Sequence, residues 1–357
     1  MKILHIIDSL GIGGAEVLLR ETLPLLPEYE HTICYLRKPD DLYQALSKHP
    51  IYFLDYNTKH SFYRTLKRLR KVIKLIKPEI IHSHLFLSTI LCRLAILFTK
   101  TKLVTTIHGH LGIDPFNKST LSLIAERLTT SACHSIICVS KFVLNDYDLY
   151  IKKRAKRYVL FNFVNNSFFD HGRTNTISPI VHPLRIVAIG SLKNEKNYFY
   201  LLKASENLND VTIMIDIYGD GPERERLQNL INEKRLSVSL KGTTKDILNV
   251  LARSHLYVIC SLSEGCPLAL LEAMAAGMPI LASDIPIFRE VLEDSALYFD
   301  LDTPEDLANK IKMIASGQVD IMQLGYKSYK RALEIATSDK YIRQLKEIYS
   351  ELLAKPE

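Results

Sequence analysis

Residues 256–282 read LYVICSLSEGCPLALLEAMAAGMPILA. The β-branched and aromatic run at 256–260 predicts a strand, and a second strand is predicted at 280–282. Between them, an apolar segment that begins near Pro267 and is followed by Gly277 predicts a helix over about 267–276, because proline suits the first helical turn and glycine the C-terminal cap. This strand, helix, strand order is typical of a parallel sheet covered by helices.

The same alternation runs through the whole chain. In the first half, strands are predicted at 3–7, 32–36, 51–54, 80–84, 103–107, 136–139 and 158–161. In the second half they are predicted at 186–189, 212–218, 237–240, 256–260, 280–282 and 296–299. The pattern predicts an α/β fold with two Rossmann-like parallel-sheet domains that face each other across a cleft, where open α/β sheets bind ligands.

The domain boundaries follow from a polar stretch that separates the two series of predicted strands. Residues 1–165 are predicted to form an N-terminal domain, 166–183 a linker rich in turn residues, and 184–335 a C-terminal domain. Residues 336–357 are predicted to form a C-terminal helix that packs back toward the N-terminal domain.

Composition excludes several classes of protein. The chain has 357 residues, of which 47% are hydrophobic and 24% are charged, so a folded rather than a disordered or fibrous protein is expected. No uncharged apolar run approaches the ~18 residues of a membrane span, and the N-terminus has no signal-peptide pattern. The six cysteines lack metal-type spacing, which favours a reducing, cytoplasmic location without disulfides or a zinc site.

Charge is distributed unevenly along a chain whose net charge is +7. Residues 1–165 contain 24 basic and 13 acidic side chains, whereas residues 166–357 contain 22 and 26. The two halves are therefore expected to have partners of different charge.

The predicted helix of the opening segment contains a single acid, Glu272, among apolar residues. A buried carboxylate is costly unless hydroxyl or N–H donors meet it, and a ligand diol would supply such donors. Glu264 lies in the preceding loop, at the positive end of the helix dipole. The free N–H groups of Cys266, Leu268 and Ala269 would hold a phosphate there.

Two strand ends add further candidates. Gly190 and Ser191 begin the loop GSLKNEKN (190–197), in which Lys196 is a natural counter-ion for a diphosphate. His108 follows the strand at 103–107 in the first domain, although a single histidine is more often structural.

Gly13 and Gly14 follow the first strand and open a helix, so their backbone N–H groups are able to face an anion. The segment lacks the full dinucleotide-binding glycine pattern, because Glu16 occupies the third glycine position.

Together these motifs resemble glycosyltransferase family 4, the retaining nucleotide-sugar transferases of GT-B fold. The resemblance rests on GGAE at 13–16, TIHG at 106–109, GSLKNEKN at 190–197, GDGPE at 219–223 and the SLSEGCPLALLEAMAAGMP segment at 261–279. It implies that the second domain binds the nucleotide-sugar donor and the first binds the acceptor. The donor would be a UDP- or GDP-sugar, and the acceptor a glycan or a lipid-linked sugar.

The resemblance also implies a role for each candidate. Glu272 would bind the ribose hydroxyls, Glu264 the transferred sugar, and His108 the sugar near its anomeric centre. Lys196 and the amides at 266–269 would hold the diphosphate. Gly13 and Gly14 would let the first loop approach the phosphates and the acceptor.

One position departs from the family pattern. The family usually has an arginine where this chain has Ser191, so the diphosphate would be held by one cation and by helix dipoles. No metal and no other cofactor is expected. Asp300-Leu301-Asp302 resembles a metal-binding D-x-D sequence, but its place before Pro304 predicts a loop that caps a helix.

The segment from Phe62 to Lys77 has seven basic residues and no acidic one. Its apolar residues recur on one helical stripe, which allows two interpretations: a helix that lies on an anionic membrane, or a helix that covers the sheet and presents a solvated basic face. Nucleic acid binding has no supporting motif.

The sequence thus predicts a retaining glycosyltransferase of cell-surface polysaccharide synthesis, located in the cytoplasm or peripherally on the inner face of the cell membrane. Two alternatives stay open. One is a nucleotide-sugar epimerase or hydrolase of the same fold, and the other is a catalytically silent nucleotide-sugar-binding protein.

Overall fold

The structure is a computed structural model that describes residues 1–58, 61–97, 99–111, 120–152, 155–174 and 183–354. The chain divides into two compact units. The first comprises Met1–Asn162 together with Asp339–Glu357, and the second comprises Phe163–Ser338.

Helices follow most strands along the chain. In chain order they are α1 (Gly14–Thr22), α2 (Tyr43–Leu46), α3 (Phe62–Ile76), α4 (Phe86–Ala95), α5 (Thr120–Thr129), α6 (Lys141–Tyr150), α7 (Asn166–Thr174), α8 (Tyr198–Ser205), α9 (Arg224–Lys234), α10 (Ile247–Ala252), α11 (Leu268–Ala275), α12 (Pro286–Leu292), α13 (Pro304–Ala315), α14 (Ile321–Ile335) and α15 (Ser338–Leu353).

The first unit is built on a parallel sheet of seven strands. These are β1 (Lys2–Ile7), β2 (Glu30–Tyr35), β3 (Ile51–Phe53), β4 (Ile80–His84), β5 (Lys102–Ile107), β6 (Ser135–Cys138) and β7 (Lys156–Val159), in the spatial order β3-β2-β1-β4-β5-β6-β7. Every residue of β4 is buried, so both faces of the sheet are covered at its centre. This is the Rossmann-like arrangement that the alternating pattern predicts.

The last helix, α15, packs on this sheet although it follows the second unit in the chain. The hydroxyl of Tyr349 lies 2.7 Å from His82 Nδ1 on β4. Lys346 forms an ion pair of 2.6 Å with Glu28, and Glu351 accepts a hydrogen bond of 2.5 Å from the hydroxyl of Tyr158 on β7. The helix is thereby held at several points along the first unit.

The second unit is built on a parallel sheet of six strands. These are β8 (Leu184–Ile189), β9 (Ile213–Tyr218), β10 (Val238–Gly242), β11 (Leu256–Ile259), β12 (Ile280–Ser283) and β13 (Leu297–Phe299), in the order β10-β9-β8-β11-β12-β13. All thirteen strands that the sequence predicts are present in the described part of the chain. The α/β fold with two parallel sheets is therefore confirmed.

The stretch predicted as a linker, 166–183, differs from expectation. Its first half is the helix α7, which belongs to the second unit, and residues 175–182 lie outside the described residues. Phe169 is buried, and a Cβ on Gly172 would stand 2.1 Å from the carbonyl oxygen of Ala275. Tertiary contact with α11 thus forms a helix where the local sequence is polar and rich in turn residues.

The basic helix α3 is amphipathic, as its sequence predicts. Leu66, Leu69 and Ile73 are buried in the first unit, whereas Arg64 and Lys67 are exposed. Its apolar stripe is therefore buried within the first unit, and its basic face is exposed to solvent. Among the described residues, no helix is long and apolar enough to cross a membrane.

Candidate functional site

Two loops meet at the carboxyl ends of adjacent strands in the second unit. One follows β8 and contains residues 190–197, and the other follows β11 and contains residues 261–267. The backbone N–H of Leu262 donates a hydrogen bond of 2.8 Å to the carbonyl of Glu195. Because β8 and β11 are adjacent in the sheet, these loops lie together, and Lys196 and Glu264, which are 68 residues apart in the sequence, are neighbours.

Lys196 and Glu264 form an ion pair at this junction. Lys196 Nζ lies 2.5 Å from Glu264 Oε1, and the same oxygen accepts a hydrogen bond of 2.7 Å from the hydroxyl of Ser261. The two side chains are 19% and 10% exposed. A partly dehydrated pair of this kind is held more rigidly than a surface pair and remains within reach of solvent.

The helix α11 begins beside this pair. Its N-cap residue is Pro267, one position outside the helix where the sequence predicts it to be the first helical residue. Most of the helix is buried, but Leu268, Ala269 and Glu272 are only half-buried and lie on one side, at the spacing i, i+1 and i+4. The helix therefore presents its first amides and its one carboxylate on the same accessible side.

Glu272 itself is half-buried, so the full burial that the apolar context predicts is not observed. The negative charge of Glu272 nevertheless affects a buried side chain, that of Tyr257. Burial raises the pKa of the Tyr257 hydroxyl well above its usual range, and the negative charges of Glu264 and Glu272 add to this effect. Tyr257 on β11 thus lies close to both acids, beneath the site.

Glycines allow the loops to pack at this edge. Gly219 has a φ of +148°, and a Cβ on it would stand 1.8 Å from the carbonyl oxygen of Gly190. A Cβ on Gly221 would meet the carbonyl oxygen of Leu192 at 2.5 Å. The GDG turn after β9 therefore supports the backbone from which Ser191 and Lys196 project.

His108 belongs to the first unit, where it follows β5. Its Nε2 lies 3.4 Å from His84 Nδ1, and burial lowers the pKa of His108 to about 4. The imidazole is therefore neutral near pH 7 and able to accept or donate a hydrogen bond without carrying charge.

Gly13 and Gly14 also lie in the first unit, at the start of α1. A Cβ on Gly13 would stand 2.4 Å from Oε2 of Glu16, and Glu16 Oε1 accepts a hydrogen bond of 3.0 Å from Ser9. The buried carboxylate of Glu16 thus lies beside the helix start that the sequence assigns to an external anion.

Asp300 and Asp302 lie in the loop between β13 and α13, as predicted. Asp300 Oδ1 accepts a hydrogen bond of 2.9 Å from the backbone N–H of Asp302. Asp306 in the first turn of α13 accepts another of 2.9 Å from the N–H of Asp300. The acids thus satisfy the backbone of a turn.

The second unit brings together eight of the predicted residues: Gly190, Ser191, Lys196, Glu264, Cys266, Leu268, Ala269 and Glu272. The structure places Gly13, Gly14 and His108 at the carboxyl ends of strands in the first unit. Sequence reasoning missed a histidine cluster on the first sheet, formed by His5, His82 and His84. The His-x-His spacing on one strand was a signal for it.

Two family models match the chain in succession. "Glycosyltransferase Family 4" matches residues 12–168, and "Glycosyl transferases group 1" matches residues 178–331. The first lies mainly on the first unit, and the second covers the loops and helix of the site described above.

Known proteins resemble the whole chain. An O-antigen biosynthesis glycosyltransferase of Escherichia coli, WclY, is 25% identical over an alignment of 366 positions that covers 99% of each chain. A Campylobacter jejuni α-1,4-N-acetyl-D-galactosaminyltransferase, whose name gives an undecaprenol-linked acceptor, is 23% identical over 77% of each chain.

The fold also matches a solved structure. Anabaena HepE in complex with UDP-glucose superimposes with a TM-score of 0.85 over 98% of this chain and 100% of its own, at 18% identity.

Proposed function

This chain belongs to glycosyltransferase family 4 and is an enzyme of GT-B fold, and on that premise we propose that it transfers a hexose-type sugar from a UDP- or GDP-sugar to a glycan or lipid-linked acceptor. The product would be a cell-surface polysaccharide. Support comes from the names of two relatives, of which one gives O-antigen biosynthesis and the other an undecaprenol-linked acceptor. We propose that this reaction takes place in the cytoplasm or on the inner face of the cell membrane.

One observation carries the donor assignment: a cation, a helix N-terminus and an accessible carboxylate converge in the second unit. Lys196 and the amides of Leu268 and Ala269 supply positive charge for a diphosphate. Glu272, four residues further on α11, presents acceptor oxygens for the two hydroxyls of a ribose. We therefore assign Lys196 and α11 to the diphosphate and Glu272 to the nucleoside.

In the proposed reaction the bond between the anomeric carbon and the diphosphate oxygen breaks while positive charge develops on the sugar ring. The departing diphosphate gains negative charge, which Lys196 and the α11 amides stabilise. The leaving oxygen takes the proton of the acceptor hydroxyl as that hydroxyl attacks the same face of the sugar, so configuration is retained. Glu264 positions the transferred sugar by hydrogen bonds.

We propose that this chemistry needs no divalent metal at the diphosphate. Fixed cationic and dipolar groups are present there, and the Asp300 carboxylate accepts a hydrogen bond from the backbone N–H of Asp302 within its own turn. Enzyme assayed with Mg²⁺ or Mn²⁺ is expected to turn over at the same rate as enzyme assayed without them. Strict dependence on either ion would contradict this part of the proposal.

Thermal shift against a panel of nucleotide-sugars tests donor binding, because a ligand that binds the folded state raises its stability by mass action. Glu272→Ala is expected to abolish the shift given by the best donor. Glu233→Ala, an exposed acid on α9, is the matched control and is expected to leave the shift unchanged. An unchanged shift in the Glu272 variant would remove the ribose assignment.

A transfer assay with the same donor separates the competing activities. Incubation with lipid-linked glycans is expected to give one glycosylated product whose new linkage has the anomeric configuration of the donor, read by NMR. An isomerised donor or free sugar without acceptor would instead identify an epimerase or a hydrolase. Donor binding without turnover of any acceptor would identify a silent binding protein, for which Ser191 in place of arginine is the supporting feature.

A further inference from the structure

Three histidines form a buried cluster on one face of the first sheet. His5 on β1 pairs in register with His82 on β4, and His84 lies two residues further along the same strand and hence on the same face. One ring nitrogen from each lies within 4.8 Å of the others, and the side chains are 1%, 2% and 4% exposed. The cluster lies inside the first unit, and its member His84 contacts His108, whose Nε2 lies 3.4 Å from His84 Nδ1.

The hydrogen bonds fix the tautomer of His5. His31 Nε2 lies 3.0 Å from the carbonyl oxygen of Leu26, so this nitrogen must carry the proton and donate it. In the neutral ring, His31 Nδ1 is then an acceptor, and it receives the N–H of His5 Nε2 at 3.1 Å. The remaining nitrogen, His5 Nδ1, therefore holds a buried lone pair, and no described residue makes a hydrogen bond to it.

A second lone pair is available on His84. His84 Nε2 is buried and has no hydrogen-bond partner in the described part of the chain, and it is unprotonated when His84 Nδ1 donates to His108 Nε2 at 3.4 Å. An unprotonated imidazole nitrogen of this kind is the form that binds a metal ion.

The third histidine of the cluster is His82. Its Nδ1 lies 2.7 Å from the hydroxyl of Tyr349 on α15, and its Nε2 lies 2.7 Å from the hydroxyl of Thr106 on β5. The hydroxyl of Tyr349 is able to accept a hydrogen bond from His82 Nδ1–H, because a hydroxyl both donates and accepts. His82 Nε2 is then unprotonated, and it is able to bind a metal ion in place of its hydrogen bond with the Thr106 hydroxyl. A ligating imidazole is commonly oriented by such a hydrogen bond from its other nitrogen.

We propose that His5, His82 and His84 bind one Zn²⁺ ion within the first unit, with water or hydroxide as a fourth ligand. Imidazole nitrogen suits Zn²⁺ and its neighbours among the transition metals, whereas Mg²⁺ and Ca²⁺ require oxygen ligands. The ion joins the two central strands, and through His82 and Tyr349 it also stabilises the packing of α15.

The test uses the full chain without a polyhistidine tag, stripped with a chelator and then titrated with ZnCl₂. Elemental analysis after dialysis is expected to give one zinc per chain, and the melting temperature is expected to rise with zinc. His5→Gln and His84→Gln should each lose the bound zinc. His255→Gln, a half-buried histidine in the second unit, is the matched control and should retain one zinc.

X-ray absorption at the zinc edge of the unsubstituted protein gives an answer even if the cluster variants fail to fold. Three nitrogen ligands at ~2.0–2.1 Å are expected. Zinc at background level, zinc bound only through oxygen, or full retention of zinc by folded His5→Gln and His84→Gln proteins would each overturn the proposal. In those cases an ordered water between the two lone pairs is the alternative occupant.

Discussion

Lys196 and Glu264 are paired across two loops, with Lys196 Nζ 2.5 Å from the carboxylate oxygen that also accepts the Ser261 hydroxyl. The pair gives the second unit a cation that is fixed in place before any diphosphate arrives. A preorganised charge costs little reorganisation when negative charge develops beside it. The carboxylate that fixes it also reduces its net charge, so the two residues have opposite influences on donor affinity.

Substituting each partner separates these influences. Lys196→Ala is expected to lower kcat by ~10²–10³, since in the proposed reaction Lys196 stabilises the leaving diphosphate. Glu264→Gln keeps the shape and the Ser261 hydrogen bond but frees the cation, so UDP should bind at least as tightly while kcat falls. Steady-state kinetics and calorimetric titration with UDP measure the two effects.

Lys193→Ala is the matched control, because Lys193 is an exposed lysine in the same loop. It should leave both quantities within a factor of about two, as expected for an exposed pair with Glu195 at 4.0 Å. Equal losses of kcat and of UDP affinity in the Lys193 and Lys196 variants would contradict this. They would show that the total positive charge of the loop, and not the paired Lys196, determines donor binding.

Gly219→Ala should disrupt the donor loops. Its Cβ would meet the Gly190 carbonyl at 1.8 Å, and the residue would also have to keep a φ of +148°. Neither condition is compatible with alanine, so the loop from Gly190 to Lys196 must move. We expect loss of nucleotide-sugar binding, measured by thermal shift.

Gly317→Ala separates backbone strain from the steric clash. Gly317 has a φ of +76° with nothing within 4 Å of an added Cβ. It should cost about 1 kcal/mol of stability, and donor affinity should stay unchanged. Full donor binding by Gly219→Ala would mean that the GDG turn does not support the site.

Removing one partner of the buried ion pair between α4 and α5 is expected to destabilise the first unit strongly. Arg93 Nη1 lies 2.7 Å from Glu126 Oε1, and the side chains are 0% and 2% exposed. Arg93→Met leaves the carboxylate of Glu126 buried with the Tyr147 hydroxyl but without its cation, at a cost of about 3–5 kcal/mol. Urea unfolding followed by circular dichroism measures the loss.

Removing both charges tests whether the unpaired carboxylate causes the loss of stability in Arg93→Met. Arg93→Met combined with Glu126→Leu should recover most of the lost stability, because no uncompensated charge remains. Arg20→Met, which breaks a partly exposed pair with Glu21 at 2.6 Å, should cost less than about 1 kcal/mol. A double variant as unstable as Arg93→Met would indicate that packing, and not charge, is responsible.

The exposed face of α3 is expected to bind anionic membranes by charge alone, since its apolar stripe is buried in the first unit. Neutralising Arg64, Lys67, Lys71 and Lys74 to glutamine removes four cations, each contributing about 1 kcal/mol near such a surface. Affinity for vesicles that contain anionic phospholipid should fall on the order of 10²–10³-fold, as measured by sedimentation at fixed ionic strength.

The control neutralises four exposed lysines of the second unit, Lys203, Lys234, Lys245 and Lys330. This variant has the same net charge and should sediment like the unsubstituted protein. If both variants lose binding equally, the interaction depends on total charge and α3 is not a docking face.

Local sequence was sufficient for the fold. Strands such as β11 and β12 are short apolar runs bounded by turn residues, so their position depends on neighbours along the chain. The linker prediction was wrong at α7, where the buried ring of Phe169 and the close approach at Gly172 depend on distant residues of the second unit. Packing of that kind involves residues far away in the chain, which the local sequence of a nine-residue helix does not specify.

The site was predictable in part for the same reason. Glu264 and Glu272 stand out against apolar neighbours, but their relation to Lys196 exists only because β8 and β11 are adjacent in the sheet. The cluster of His5, His82 and His84 was missed because it requires the register between β1 and β4. Register depends on which strands pair, and the sequence of one strand does not contain that information.

The position of α15 has a consequence for biosynthesis. Tyr349 and its neighbours cover a sheet whose strands all lie between Lys2 and Val159, and the whole second unit is translated before them. Until the ribosome has synthesised the second unit and α15, part of the first sheet remains exposed. Its apolar surface is therefore accessible to chaperones and prone to aggregation during that time.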